Sequence, residues 1–122
     1  MAVKDVKEFR FICWNIDGID EKNLRIRTES VANYIRNEKA LIVFLQEVVP
    51  QSERILKESL PEYEFLSGNN NSVDYYVLTL IHKSYVKLET NDIIEFTNTS
   101  MGRNLLKTRV CVLTSTNFHS IC

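Results

Sequence analysis

The chain has 122 residues, 44% hydrophobic and 25% charged, with a formal charge of −1. That composition suits a single folded domain with a modest core, and the near-zero charge argues against wholesale phosphate binding. The charge is unevenly spread, however. All 16 acids lie at or before Glu95, whereas Arg103, Lys107 and Arg109 follow with no acid among them. Such a short basic segment suits a nucleic-acid backbone, or equally an ordinary solvated strand and loop.

In chain order, Phe9 to Cys13 is a first apolar run that reads as a strand. From Leu24 to Asn37 the apolar residues Leu24, Val31, Ala32 and Ile35 recur at helical spacing, and Ala40 to Leu45 reads as a second strand. Two strands joined through one helix run parallel with a right-handed crossover, so both leave the sheet at its carboxyl edge, where open α/β sheets bind ligands. Pro50 opens a second helix through about Leu60, with Ile55, Leu56, Ser59 and Leu60 on its inner side and Pro61 ending it. Tyr63 to Leu66 follows as a strand, and Gly68 to Ser72 is the clearest turn cluster. Beyond it, Tyr75 to Ile81, Val86 to Leu88, Ile93 to Phe96 and Leu105 to Leu113 are β-branched and aromatic segments that predict strands with no helix between them.

In the second strand Leu41, Val43 and Leu45 point one way and Ile42 and Phe44 the other, so both faces of the sheet need cover. Two helices can cover one face. The other calls for a second sheet, a partner or self-association. Cys13, Cys111 and Cys122 have no CxxC spacing and do not suggest a disulfide framework, which implies a reducing compartment; Cys13 and Cys111 are expected to be small buried hydrophobes. Met1 to Asp5 has no signal-peptide apolar core, and Ala40 to Leu45 is too short to span a bilayer, so no membrane association is expected.

Chemistry-bearing residues gather where the first two strands end. Cys13-Trp14-Asn15-Ile16-Asp17-Gly18 closes the first, and Gln46-Glu47-Val48 the second. A carboxylate after a buried strand can hold a hard cation, although a strand meeting water has the same appearance; Asn-x-Asp-Gly is likewise a good turn. Trp14 has the opposite strand parity to Asn15, which predicts a packing role.

These motifs, WNIDG followed by FLQEV, resemble the opening of the endonuclease/exonuclease/phosphatase superfamily. Met101 to Leu106, MGRNLL, resembles its 5′-tyrosyl-DNA phosphodiesterase branch. The resemblance runs from about Phe9 to Ser115 and covers the first half of the family's catalytic domain; the later GDTN-like and SDH-like motifs are absent. It implies an α/β fold, roughly half of a four-layer α/β sandwich, with one mixed sheet and helices on one face, and makes residues 1–122 a partial catalytic domain. It also implies a Mg²⁺-dependent phosphodiesterase, with Mn²⁺ as a substitute, acting in the nucleus on DNA that carries a 5′-linked tyrosine or topoisomerase peptide.

Carried over residue by residue, Asn15 and Glu47 are the implied catalytic residues, Glu47 the metal ligand, and Arg103, Asn104 and Tyr75 the substrate or DNA contacts. Asp17 is held more loosely, and either Tyr75 or Tyr76 is expected in the core. His82 and His119 lie outside any SDH context. With the later acid and histidine motifs missing, the chain alone is expected to be inactive or nearly so. Two alternatives stay open: another metal-dependent phosphodiesterase or nuclease of the superfamily, against which MGRNLL speaks, and a non-catalytic fragment that binds a partner or nucleic acid.

Overall fold

The computed structural model describes residues 9–68, 74–95, 104–113 and 118–119. The chain runs β1 (Phe11–Asn15), α1 (Leu24–Glu38), β2 (Ile42–Val48), α2 (Pro50–Ser59), β3 (Tyr63–Ser67), β4 (Tyr76–His82), β5 (Val86–Glu95), β6 (Asn104–Leu113) and β7 (Phe118–His119). The expected α/β class is what forms. A four-stranded sheet has the order β1-β2-β4-β3, with β1 and β2 parallel and the remaining neighbours antiparallel. The strands past Tyr85 make a separate antiparallel sheet, β5-β6-β7, rather than extending the first.

Both helices lie on one face of the first sheet. Val31, Ala32 and Ile35 of α1, with Leu56 of α2 and Leu60 just after it, pack on Val43, Leu45, Leu78 and Leu80 in one buried cluster. The 3.6-residue spacing of the helices' apolar positions meets the alternate residues of the strands, which is why each element forms with its partner. Pro50 supplies the first turn of α2 without a wasted N–H, and the Ser52 hydroxyl accepts from the Val49 N–H at 3.0 Å and donates to the Val49 carbonyl at 2.9 Å. Tyr63 donates to the buried Ala40 carbonyl at 2.5 Å, tying β3 to the entry of β2. Among the described residues no helix is long and apolar enough to cross a membrane.

The opposite face is covered in part. Leu41, Ile42, Leu66 and Ile81 meet Val86 of β5 and Val112 of β6 in a second buried cluster, so the second sheet lies across one end of this face. Leu41 joins Ile42 rather than Val43 and Leu45 as expected, because it precedes β2 and escapes the strand's alternation. Toward β1 the cover stops, leaving Phe11 59% and Phe44 44% exposed.

Two further sequence expectations are corrected. Val86 to Leu88 and Ile93 to Phe96 are not two strands: through Glu95 they belong to one strand, β5, with an irregularity between Leu88 and Thr90. A ribbon with polar, exposed Glu89 to Asp92 does not need an apolar residue at every second position. Cys13 is exposed and Cys111 half-buried rather than buried. Cys13 shares strand parity with Phe11 and therefore faces the side where cover stops.

Candidate active site

Asn15 pairs with Gln46 as the last matched position of the parallel β1 and β2. The strand ends are then latched by two backbone hydrogen bonds, from the Ile16 N–H to the Gln46 carbonyl at 3.1 Å and from the Gly18 N–H to the Glu47 carbonyl at 2.8 Å. The contact between Gly18 and Glu47 requires glycine, because a Cβ there would run into the Glu47 carbonyl oxygen. Sequence order alone separated the Asn15 and Glu47 motifs by a strand and a helix. The fold makes them neighbours at one carboxyl edge.

Glu47 reaches that edge through a bulge. Leu45 pairs with Leu78 and Val48 with Tyr76, so three steps along β2 match two along β4. Regular alternation would turn Glu47 toward the helices and Val48 away from them. Instead Leu45 and Val48 both enter the helix-side core, and Glu47 takes up the extra residue with φ of 55°, a left-handed conformation costly for a side chain with a Cβ. The residue is half-buried, and its carboxylate makes no hydrogen bond or ion pair among the described residues.

Asn15 is exposed, and its Oδ1 accepts the Asp17 N–H at 3.0 Å. The turn expected of Asn-x-Asp-Gly therefore forms, and it fixes the amide: with Oδ1 used internally, the NH₂ group is left to donate outward. Asp17 has φ of 50° within this turn. Trp14 packs against the helix-side core, edge-to-face with Tyr34 at 5.5 Å, a supporting role as its parity predicts.

Tyr76 is the core member of the tyrosine pair, buried and donating to Glu53 Oε1 at 2.6 Å; burial, then that carboxylate, raise its phenol above the ordinary range. Tyr75 is half-buried, one residue outside the Val48–Tyr76 pair and thus near the same edge. Asn104 begins β6 opposite Glu95. Arg103 lies outside the described residues. A cleft of about 410 Å³ separates the two sheets, lined on one side by Phe44, Gln46, Val77 and Thr79 and on the other by Leu106, Lys107 and Thr108. From the basic segment Lys107 lines this cleft, which approaches the strand ends through Gln46, whereas Arg109 is ion-paired to Glu89 at 3.5 Å.

Residues 12–118 match the model of the Endonuclease/Exonuclease/phosphatase family. The chain belongs to this family. Similar relatives include tyrosyl-DNA phosphodiesterase 2 of Bos taurus, 37% identical over 98% of this chain and 31% of that protein. That of Homo sapiens is 37% identical over 93% and 30%. A crystal structure of D. rerio TDP2 complexed with single strand DNA product superposes with a TM-score of 0.81 at 34% identity, over 86% of this chain and 41% of that one. The chain therefore spans about a third of the length of the curated relatives it matches.

Sequence reasoning missed one residue. Arg27, in the first turns of α1, donates from its guanidinium to backbone carbonyls of the loop that carries Asp17. Nothing in its spacing marks it, since a helix with several arginines offers no sign of which one folds back.

Proposed function

We propose that this chain supplies the asparagine and glutamate of a metal-dependent phosphodiesterase centre acting on 5′-phosphotyrosyl DNA. The observation that carries the reading is the latched β1 and β2 ends, with Glu47 turned out of the core by a bulge beside Asn15. Glu47 is the carboxylate that would hold Mg²⁺, or Mn²⁺ in its place; one carboxylate with substrate phosphate and water fits a hard cation that keeps much of its hydration. Such an ion, when bound, polarises a phosphoryl oxygen. The Asn15 amide donates to a phosphate oxygen, its orientation fixed by the turn it closes. Tyr75 borders the entrance, and Lys107, with Arg103 and Asn104 ahead of it, meets the DNA backbone along the cleft.

The proposed setting is the nucleus, in the repair of DNA ends blocked by a topoisomerase peptide. Among the described residues no three His, Cys, Asp or Glu gather as a metal cluster. We expect turnover by these 122 residues alone to stay close to background, because the family's later acid and histidine motifs are not among them and loss of one electrostatic stabiliser commonly costs about 10²–10³ in rate. The open face around Phe11 and Phe44 supports self-association as part of the same reading.

The test is fluorescence anisotropy of a labelled 5′-tyrosyl single-stranded oligonucleotide, in Mg²⁺ and in EDTA, with the parent chain and Glu47→Gln. Binding strengthened by Mg²⁺ in the parent and indifferent to it in the variant is expected. Equal Mg²⁺ dependence in both would defeat the assignment, and Mg²⁺-independent binding in both would favour a nucleic-acid-binding piece without a metal centre.

A further inference from the structure

An arginine in the first turns of a helix runs against the helix dipole, whose positive end lies there. The first turn of α1 holds no acid to compensate, and its N-cap, Asn23, sits at φ of 55° with no side-chain capping bond. Local rules are thus broken together at one helix start. The guanidinium of Arg27 accounts for the arrangement. Its Nε donates to the Lys22 carbonyl at 2.9 Å, Nη1 to Ile16 at 3.2 Å and Asp17 at 3.1 Å, and Nη2 to Asp20. One planar fork therefore spans four carbonyls of the segment that follows Asn15. On its other side the same segment is latched to β2 through Ile16 and Gly18.

We infer that Arg27 is a positioning residue: it clamps the loop from Ile16 to Lys22, so that the Asn15 amide keeps its aim at phosphate beside Glu47. This rests on the phosphate-binding reading of that edge. In this role Arg27 acts through Asn15: its guanidinium donates to the Ile16 carbonyl and so holds the Ile16–Asp17 peptide, whose N–H donates to Asn15 Oδ1. A lysine keeps the charge and the helix propensity but concentrates its donors at one point, which cannot span the four carbonyls.

The test is a double-mutant cycle between Arg27→Lys and Asn15→Ala, read as affinity for the 5′-tyrosyl oligonucleotide in Mg²⁺, with amide hydrogen exchange on the same proteins. Arg27→Lys is expected to weaken binding about tenfold in the parent, the scale of one misplaced hydrogen-bonding group, and less than about twofold when Asn15 is already alanine. Exchange at Gly18, Asp20 and Lys22 should quicken while Val43 and Leu80 in the core stay protected. An equal loss in both backgrounds, or parent-like binding by Arg27→Lys while Asn15→Ala binds weakly, overturns this inference alone. Parent-like binding by both Asn15→Ala and Glu47→Gln would remove the underlying reading and this inference with it.

Discussion

The two faces of the β1-β2-β4-β3 sheet differ in how completely they are closed. On the helix side Val43, Leu45, Val48, Leu78 and Leu80 are fully sealed by α1 and α2. On the other, cover is confined to the end where Ile42, Leu66 and Ile81 meet Val86 and Val112, while Phe11, Cys13 and Phe44 meet water. The sealed face carries stability. The open face leads, through Gln46 and the cleft, to the edge where the chemistry is proposed, so the residues beside the site are free of core packing and can answer to ligands.

The sharpest way to break this comparison is to cut both faces. Leu80→Ala should cost about 2–5 kcal/mol in denaturant unfolding, because a sealed site relaxes little around a cavity. Phe44→Ser on the open side should change stability by no more than about 0.5 kcal/mol and reduce any self-association seen in ultracentrifugation. Equal losses would mean that the second face is as closed as the first.

Gly18→Ala comes next, at about 1–3 kcal/mol, since the added methyl must push the loop off the Glu47 carbonyl. Chemical shifts of Asn15 and Glu47 should move with it while the α1–α2 core signals stay in place. Tyr76→Phe should cost about 0.5–1.5 kcal/mol, the net worth of its bond to Glu53, which retains Lys57 at 2.9 Å.

The smallest expected effect is one of pH. Burial lowers the His82 imidazole below its usual value, against a smaller opposing pull from Glu62. The folded state then binds fewer protons than the unfolded one, so this contribution is full above about pH 6.5 and is lost as pH falls through the folded value. His82→Asn should flatten that acid limb in unfolding measured from pH 8 downward. At the alkaline end the sign reverses: burial, then Glu62, push Tyr63 up to about 12, so its contribution is present below its ordinary value near 10 and declines above it.

Much of the frame was legible in the sequence because it depends on local periodicity. Leu24, Val31, Ala32 and Ile35 marked the buried stripe of α1, Pro50 the start of α2, and the β-α-β order placed Asn15 and Glu47 at one edge. What was hidden depends on the partners of a segment. The bulge at Glu47 arises because Val48 must reach the core under α2, which no alternation within FLQEV reveals. Cys13 looked like core because its neighbours are apolar, yet parity with Phe11 puts it on the open face. The Arg27 clamp needs the return of the loop over α1, a tertiary event without a spacing signature.

The central claim is that Asn15 and Glu47 form one cation-dependent site, and paramagnetic broadening by Mn²⁺ tests it most directly. In amide spectra of the chain titrated with trace Mn²⁺, signals of Asn15, Ile16, Gln46 and Glu47 should broaden before all others, and Glu47→Gln should abolish that order. Broadening that starts among the acids of β5, or persists at the β1–β2 edge after Glu47→Gln, would contradict the account.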